Sequence, residues 1–396
     1  MKKIIHIYIL FLLATYLSSG QSLNNQNIFT IKEFLDNKLI LNSKIDRILL
    51  IDDYTKETFV FSRIDEWIDG SKISKKKIDN IIYLEKAGLY FKREYSGSIN
   101  AKWFGAIGNG IKDDYSSIQK AIIFLEVIGK GNIYLPAGKY LISNKLIIRK
   151  PFIGIYGDGI NNTIIKAEND CLQLSPYVDV SSASISNMTL EGNNSSTGII
   201  LKNSNFYFID KIRISNFDIG VLGETAVLNK ISNFYIIACN IGMSFSKSSY
   251  FTTLSNGTIT ACKKIGIIES GSRILIDKVD IEKIGGVDSG IAIACGSQTE
   301  IRDSHIESSY TAIGISTSGY VGVDNVFIGG CKFGIKQLNL TKPIYGNYVF
   351  RNIRFAGTEK EFELPTVYNC VIDTKTCFTS DNLGGNKKIH INVSVK

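Results

Sequence analysis

Gly198-Ile199-Ile200-Leu201, Gly220-Val221-Leu222-Gly223 and Gly242-Met243-Ser244-Phe245 are three copies of one short pattern, 22 residues apart. The pattern recurs at Gly266, Gly290, Gly314 and Gly334, followed by Ile267, Ile291, Ile315 and Ile335, so the interval stays between 20 and 24 residues. Helical repeats of similar length carry paired amphipathic stripes that this stretch lacks. One turn of a β-solenoid has this length, and it buries its interior only by stacking on its neighbours. The repeats therefore predict a parallel β-helix.

A second register runs beside the first. An aliphatic residue is followed two positions later by a polar one at Ile185 and Asn187, Ile209 and Lys211, Ile231 and Asn233, Leu254 and Asn256. The series continues through Ile276 and Lys278, Ile301 and Asp303, and Val323 and Asn325. Asn tolerates the left-handed conformation of a tight bend, and its side chain can hydrogen-bond along a stack. This column is read as turn chemistry rather than catalysis.

Around the repeats the chain divides into segments. Residues 1–20 read as a secretory signal: Lys2 and Lys3, an apolar run from Ile4 to Leu17, then Ser18, Ser19 and Gly20. The run is too short for the ~20 residues a membrane span needs. A secreted or periplasmic location follows, with no membrane association after signal removal. Residues 21–100 mix short apolar runs with charged loops and are expected to form a small β-rich domain. The rest, 101–396, is assigned to the solenoid. Within it a helix is expected over about 114–129, with Asp113, Asp114 and Ser116 as N-cap candidates and Ser116 and Gln119 at capping-box spacing. The first turn of a solenoid exposes unpaired strand edges, and this helix is the natural lid.

Charge and cysteine content exclude several classes. The formal charge of +8 includes no dense basic tract beyond Lys75, Lys76 and Lys77, which argues against a nucleic-acid partner. A modest positive excess suits an acidic polysaccharide. Seven Cys is an odd number for an exported chain; Cys370 and Cys377 could close a hairpin, whereas Cys239, Cys262 and Cys331 are expected to stack as small core residues. His6, His305 and His390 fall in no zinc-site spacing, and no metal ligands are assigned.

Four segments carry a resemblance: Trp103-Phe104-Gly105-Ala106, Asp113-Asp114 through Ile118-Gln119-Lys120-Ala121-Ile122, residues 131–140, and Gly157-Asp158-Gly159 with Thr163-Ile164-Ile165. Together they resemble the start of the pectate-lyase-like right-handed β-helix superfamily, in its rhamnogalacturonase/epimerase-like and tailspike-like branch. The resemblance covers roughly residues 40–340. It implies an all-β fold, a single-stranded right-handed parallel β-helix of about ten turns with an N-terminal capping helix and a small N-terminal β domain. It also implies hydrolases, lyases, epimerases or receptor-binding spikes as functional classes, and a homo-oligomer is compatible with it. The polygalacturonase-like series of Asn-x-Asp, Asp-Asp, Gly-His-Gly and Arg-x-Lys is missing from the repeats, as is a pectate-lyase acid cluster.

Candidate residues are therefore read from geometry. Residues i and i+2 of a strand share a face, and equivalent residues on stacked turns lie ~4.8 Å apart. After the Asn bend the outward pairs run Thr189/Glu191, Arg213/Ser215, Tyr235/Ile237, Thr258/Thr260, Asp280/Glu282, His305/Glu307 and Phe327/Gly329. Asp280, Glu282, His305 and Glu307 should thus share one patch, with Glu282 and Glu307 as acid and base or nucleophile and the other two tuning them. Arg213, Tyr235 and Tyr310 are the expected substrate-binding residues. The expected function is cleavage of an acidic or heteropolymeric glycan, hydrolysis ahead of β-elimination. A lyase would use His305 as base, with Arg213 or a divalent cation such as calcium neutralising a uronate; hydrolysis needs no cofactor. The alternative from another class is a noncatalytic glycan-binding or spike-like solenoid, for which Tyr235, Tyr250, Tyr310 and Tyr320 are stacking candidates.

Overall fold

The computed structural model describes residues 28–393, apart from 38–40, 42–43, 68–69, 74–76, 177–182, 247, 287, 340–342, 374–375, 381–385 and 388–390. The signal segment, His6 and His390 lie outside the described residues, as do Lys75 and Lys76. The chain divides into two compact units between Glu94 and Tyr95.

In the first unit a short helix, α1 (Ile31–Asp36), starts at a capping box: Thr30 Oγ1 accepts from Glu33 N–H, and Glu33 Oε2 accepts from Thr30 N–H at 2.8 Å. A four-stranded antiparallel sheet follows, in the order Arg47–Ile51, Thr58–Ile64, Leu89–Arg93, Tyr83–Lys86. Ile31, Phe34, Leu50, Phe61, Leu84 and Phe91 form its core. A fully buried ion pair, Arg93 with Asp52, lies against it, the guanidinium stacked on the ring of Phe59 at 4.3 Å.

The second unit is a right-handed parallel β-helix of about ten turns. Each full turn has three faces. The first two belong to one long strand with a corner in it, as in Tyr207–Ser215 and Arg273–Glu282. The third face is an eleven-stranded parallel sheet containing Thr197–Leu201, Ile219–Gly223, Ile241–Phe245 and Ile265–Glu269. Side chains of Ile, Leu, Val and Phe from all three faces fill the interior, most of them without solvent contact.

The corner between the first and second faces is the polar column read in the sequence. Asn187, Lys211, Asn233, Asn256, Lys278, Asp303, Asn325 and Asn352 all hold positive φ, between 46° and 57°. Asn233 Nδ2 donates to Asp210 Oδ1 at 2.7 Å, Asn325 to Asp303 and Asn352 to Asp324, tying each corner to the turn before it. Lys at such a corner bears the Cβ strain of the left-handed region without this compensation. Lys278→Asn is accordingly expected to raise stability by about 0.5–1 kcal/mol, read as a higher urea midpoint.

The glycine column needs a correction. The pairing of Ile267 with Ile293, Ile293 with Ile313 and Ile313 with Ile335 puts Ala292 and Ala312 in line with Gly266 and Gly334. Gly290 belongs instead to a loop where its backbone crosses close to Gly285, and Gly314 lies under the side chain of Leu338. The column demands a small residue rather than Gly itself. At Gly242 an added Cβ would sit 2.5 Å from the Gly266 carbonyl oxygen and 2.9 Å from the side chain of Ile259.

The lid is also built differently from the expectation. Helix α2 (Tyr115–Ile128) has Asp114 as N-cap, but no capping box forms. Asp114 reaches away from the helix, its oxygens accepting from the N–H groups of Ile107 (2.7 Å) and Gly108 (2.9 Å). Asp113 Oδ1 takes the Tyr115 N–H at 3.0 Å. Gln119 turns inward, donating from Nε2 to Ile147 O at 3.1 Å and accepting the Ile147 N–H at 2.9 Å. One glutamine thus supplies the hydrogen bonds that a neighbouring strand would give to Leu146–Ile148, the terminal strand of the third sheet.

All seven cysteines are free. Cys370 and Cys377 do not face each other across a hairpin. Val367–Ile372 and Phe378–Ser380 both pair in parallel with Ile344–Ala356, so the two residues follow one another along a single turn. Cys239, Cys262 and Cys331 are buried as expected, and burial pushes the Cys239 and Cys262 thiols up to about 11 and about 12.

Candidate active site

The second face follows directly from the corner. Because the left-handed residue resets the alternation, Val279 and Ile281 point inward while Asp280 and Glu282 point out. Parallel pairing then fixes Asp280 beside His305 and Glu282 beside Glu307. The patch inferred from the repeat register is present. His305 Nδ1 lies 3.3 Å from Asp280 Oδ1, and its Nε2 lies 3.4 Å from Glu307 Oε2, so the imidazole is held between two carboxylates. Asp280 and His305 side chains keep 43% and 44% of their surface, enough to meet a polymer from solvent.

The carboxyls sit in unlike surroundings. Desolvation raises the Asp280 pKa and neighbouring Glu282 and Glu307 add to the rise, while His305 opposes it. Its Oδ1 is buried and makes no aligned hydrogen bond. Glu282, by contrast, accepts from Thr260 Oγ1 at 3.0 Å and from Lys283 Nζ at 3.3 Å. On the far side, the ring of Phe327 packs on His305 at 4.6 Å and carries Arg354 at 5.6 Å. Thr260 and Phe327 stood among the outward pairs without a role, and Lys283 and Arg354 were not singled out in the sequence. Their signal was available: Lys283 shares a turn with Asp280, Thr260 and Phe327 lie one turn from the patch, and Arg354 lies one turn beyond Phe327.

Arg213 and Tyr235 stand in the same outward column as Asp280 and His305, through the pairs Arg213–Tyr235, Tyr235–Thr258 and Thr258–Asp280. The Arg213 guanidinium packs 5.5 Å from the Tyr235 ring. Arg213 also lines a depression of about 370 Å³ with Thr189, Glu191 and Ser215. Three turns, about 14 Å, separate it from Asp280. Tyr310 is placed elsewhere. It follows the left-handed Ser308, so the chain has already turned toward the third face, and its ring packs on Phe333 at 5.3 Å beneath Lys332 and Lys336. On the third face, Ile219, Ile241, Ile265 and Ile291 form one outward column of apolar residues.

Residues 98–336 match the family described as rhamnogalacturonase A/epimerase, pectate lyase-like. The chain belongs to that family. Among its relatives is the mannuronan C5-epimerase AlgE1 of Azotobacter vinelandii, 37% identical over 111 residues, covering 25% of this chain and 8% of that protein. Alginate lyase 7 of the same organism is 40% identical over 73 residues, 17% of this chain and 8% of that protein. Among solved structures, the enzymatically active domain of bacteriophage CBA120 tailspike protein 2 superposes with a TM-score of 0.65 at 14% identity, over 98% of this chain and 58% of that one. The chain therefore spans less than a tenth of these two curated relatives and somewhat over half of the tailspike domain.

Proposed function

We propose that this rhamnogalacturonase/epimerase-like β-helix is an exported glycan-acting enzyme whose site is the Asp280, Glu282, His305 and Glu307 patch. The observation that carries the reading is the unlike setting of two carboxyls on one strand: burial pushes Asp280 toward its protonated form, while Glu282 accepts hydrogen bonds from Thr260 and Lys283. A proton donor and a proton acceptor flanking one bond are what glycoside hydrolysis requires. This differs from the sequence assignment, which gave the acid role to a glutamate. Asp280 donates its proton to the glycosidic oxygen as the bond to the anomeric carbon breaks. Glu282 takes a proton from the water that attacks that carbon. His305 orients Asp280 and Glu307. Two residues along a strand set the Cα atoms of Asp280 and Glu282 about 6.6 Å apart, a spacing compatible with the ~6.5–9.5 Å between the carboxyls of inverting enzymes.

Similarity to an epimerase and a lyase favours a second reading, in which a base removes the proton at C5 of a uronate. His305 would be that base, whereas Arg213, four turns or about 19 Å away, is too far to pair with the carboxylate of the same sugar. One assay separates them. The protein is incubated with a panel of acidic polysaccharides while reducing ends, absorbance of unsaturated uronates and the anomeric proton signals of fresh product are followed. Reducing ends with inverted anomers and no absorbance are expected. Absorbance rising with reducing ends would replace hydrolysis by elimination, and neither signal would make the solenoid a binder.

A further inference from the structure

On the first face, three consecutive turns hold a bulky apolar residue in the left-handed conformation: Phe206 (φ 58°), Leu228 (54°) and Phe251 (56°). This conformation suits Gly or Asn and strains an aromatic or branched residue. Two of the three also face solvent, Leu228 at 43% and Phe251 at 51% exposure. A strained and exposed apolar column is not explained by core packing. The next turns lack the extra residue: the register shifts between Tyr250 and Thr252, which pair with Arg273 and Ile274, so Phe251 is a bulge over straight strands. The result is a ledge. Below it opens a depression of about 540 Å³ lined by Leu228, Phe251, Arg273, Gln298, Glu300 and Tyr320.

The lining is aromatic and polar in alternation. Tyr250, Arg273, Gln298 and Tyr320 occupy one outward column on successive turns, about 14 Å from end to end. Arg273 packs 4.8 Å from the Phe251 ring. Tyr320 lies along its own strand over Gly322, where a Cβ would come within 2.5 Å of the phenolic oxygen. Flat apolar platforms at both ends, with a guanidinium, an amide and a carboxylate between them, match a ligand with apolar ring faces and a rim of hydroxyls.

We propose that this ledge is a glycan-holding site, separate from the acid patch, which binds a short run of a polysaccharide between Phe251 and Tyr320. Arg273 and Gln298 donate to its hydroxyls and Glu300 accepts from them. The corner at Lys278 divides this groove from Asp280 on the same turn, so the site anchors polymer beside the reacting segment and does not depend on the acid patch being catalytic.

The test is affinity electrophoresis of the full chain through gels cast with alginate, polygalacturonate or hydroxyethyl cellulose. Wild type and Asp280→Asn should be retarded equally in at least one gel. Phe251→Asn and Tyr320→Ala should each weaken that retardation at least tenfold. Phe251→Asn should leave Tm unchanged or higher, since Asn accepts the left-handed bend, so lost binding cannot be ascribed to unfolding. The proposal is overturned if wild type runs freely in every gel or if both variants bind as wild type. It is equally overturned if sedimentation shows an oligomer that Phe251→Asn dissociates, which would make the ledge a contact between copies.

Discussion

Asp280→Asn is expected to lower turnover about 10²–10⁴-fold, the range a general acid contributes, with thermal stability at neutral pH unchanged or slightly higher. Both halves come from one cause. Burial raises the Asp280 pKa above that of an unfolded Asp, so the folded state favours the protonated carboxyl. The linked stability is fully present below the unfolded pKa and fades as pH rises through the folded one. At neutral pH the ionised group is therefore a burden on the fold, and an amide removes it. Activity should fall on the alkaline side for the same reason, as the acid loses its proton. Measuring kcat against pH, together with Tm of both proteins at pH 4 and pH 7, tests the argument. Turnover within twofold of wild type would remove Asp280 from the chemistry.

The largest stability effect is expected at Glu269, on the third face. This carboxylate is buried, and its Oε1 accepts from the N–H groups of Gly271 and Ser272. Its Oε2 accepts from Gly296 N–H at 2.9 Å, Gln298 N–H at 3.2 Å and Thr299 Oγ1 at 3.0 Å. One side chain thus closes the loops of two successive turns. Glu269→Ala would leave these donors without an acceptor in a place water reaches poorly, at a cost of about 3–5 kcal/mol. Glu269→Gln keeps the volume but turns an N–H₂ group toward N–H donors, and should fall between the two. Urea denaturation measures both. A loss under about 1 kcal/mol for the alanine variant would mean that water or loop movement replaces the carboxylate.

The turns were legible because stacking repeats one local problem. Each turn must bend at the same place, so Asn187, Asn233, Asn256 and Asn325 marked the corner, and the outward pairs after it followed by counting in twos. The acid patch was legible for that reason. The glycine count failed where an inserted loop restored the spacing with the wrong residues: Gly290 and Gly314 kept the interval while Ala292 and Ala312 took the position. The roles within the patch were hidden because they depend on Thr260 and Lys283, whose types alone announce nothing. The ledge on the first face was hidden too. A single extra residue at Phe251 reads as ordinary apolar strand until its exposure and bulge are seen together.

Gln119 governs something beyond its own two hydrogen bonds. Parallel stacking has no built-in stopping rule, for every turn presents the template on which another could be laid. By committing its amide to Ile147, the helix closes the first edge of the third sheet to another strand. The same third sheet with a bare first strand would offer an edge on which another strand could add.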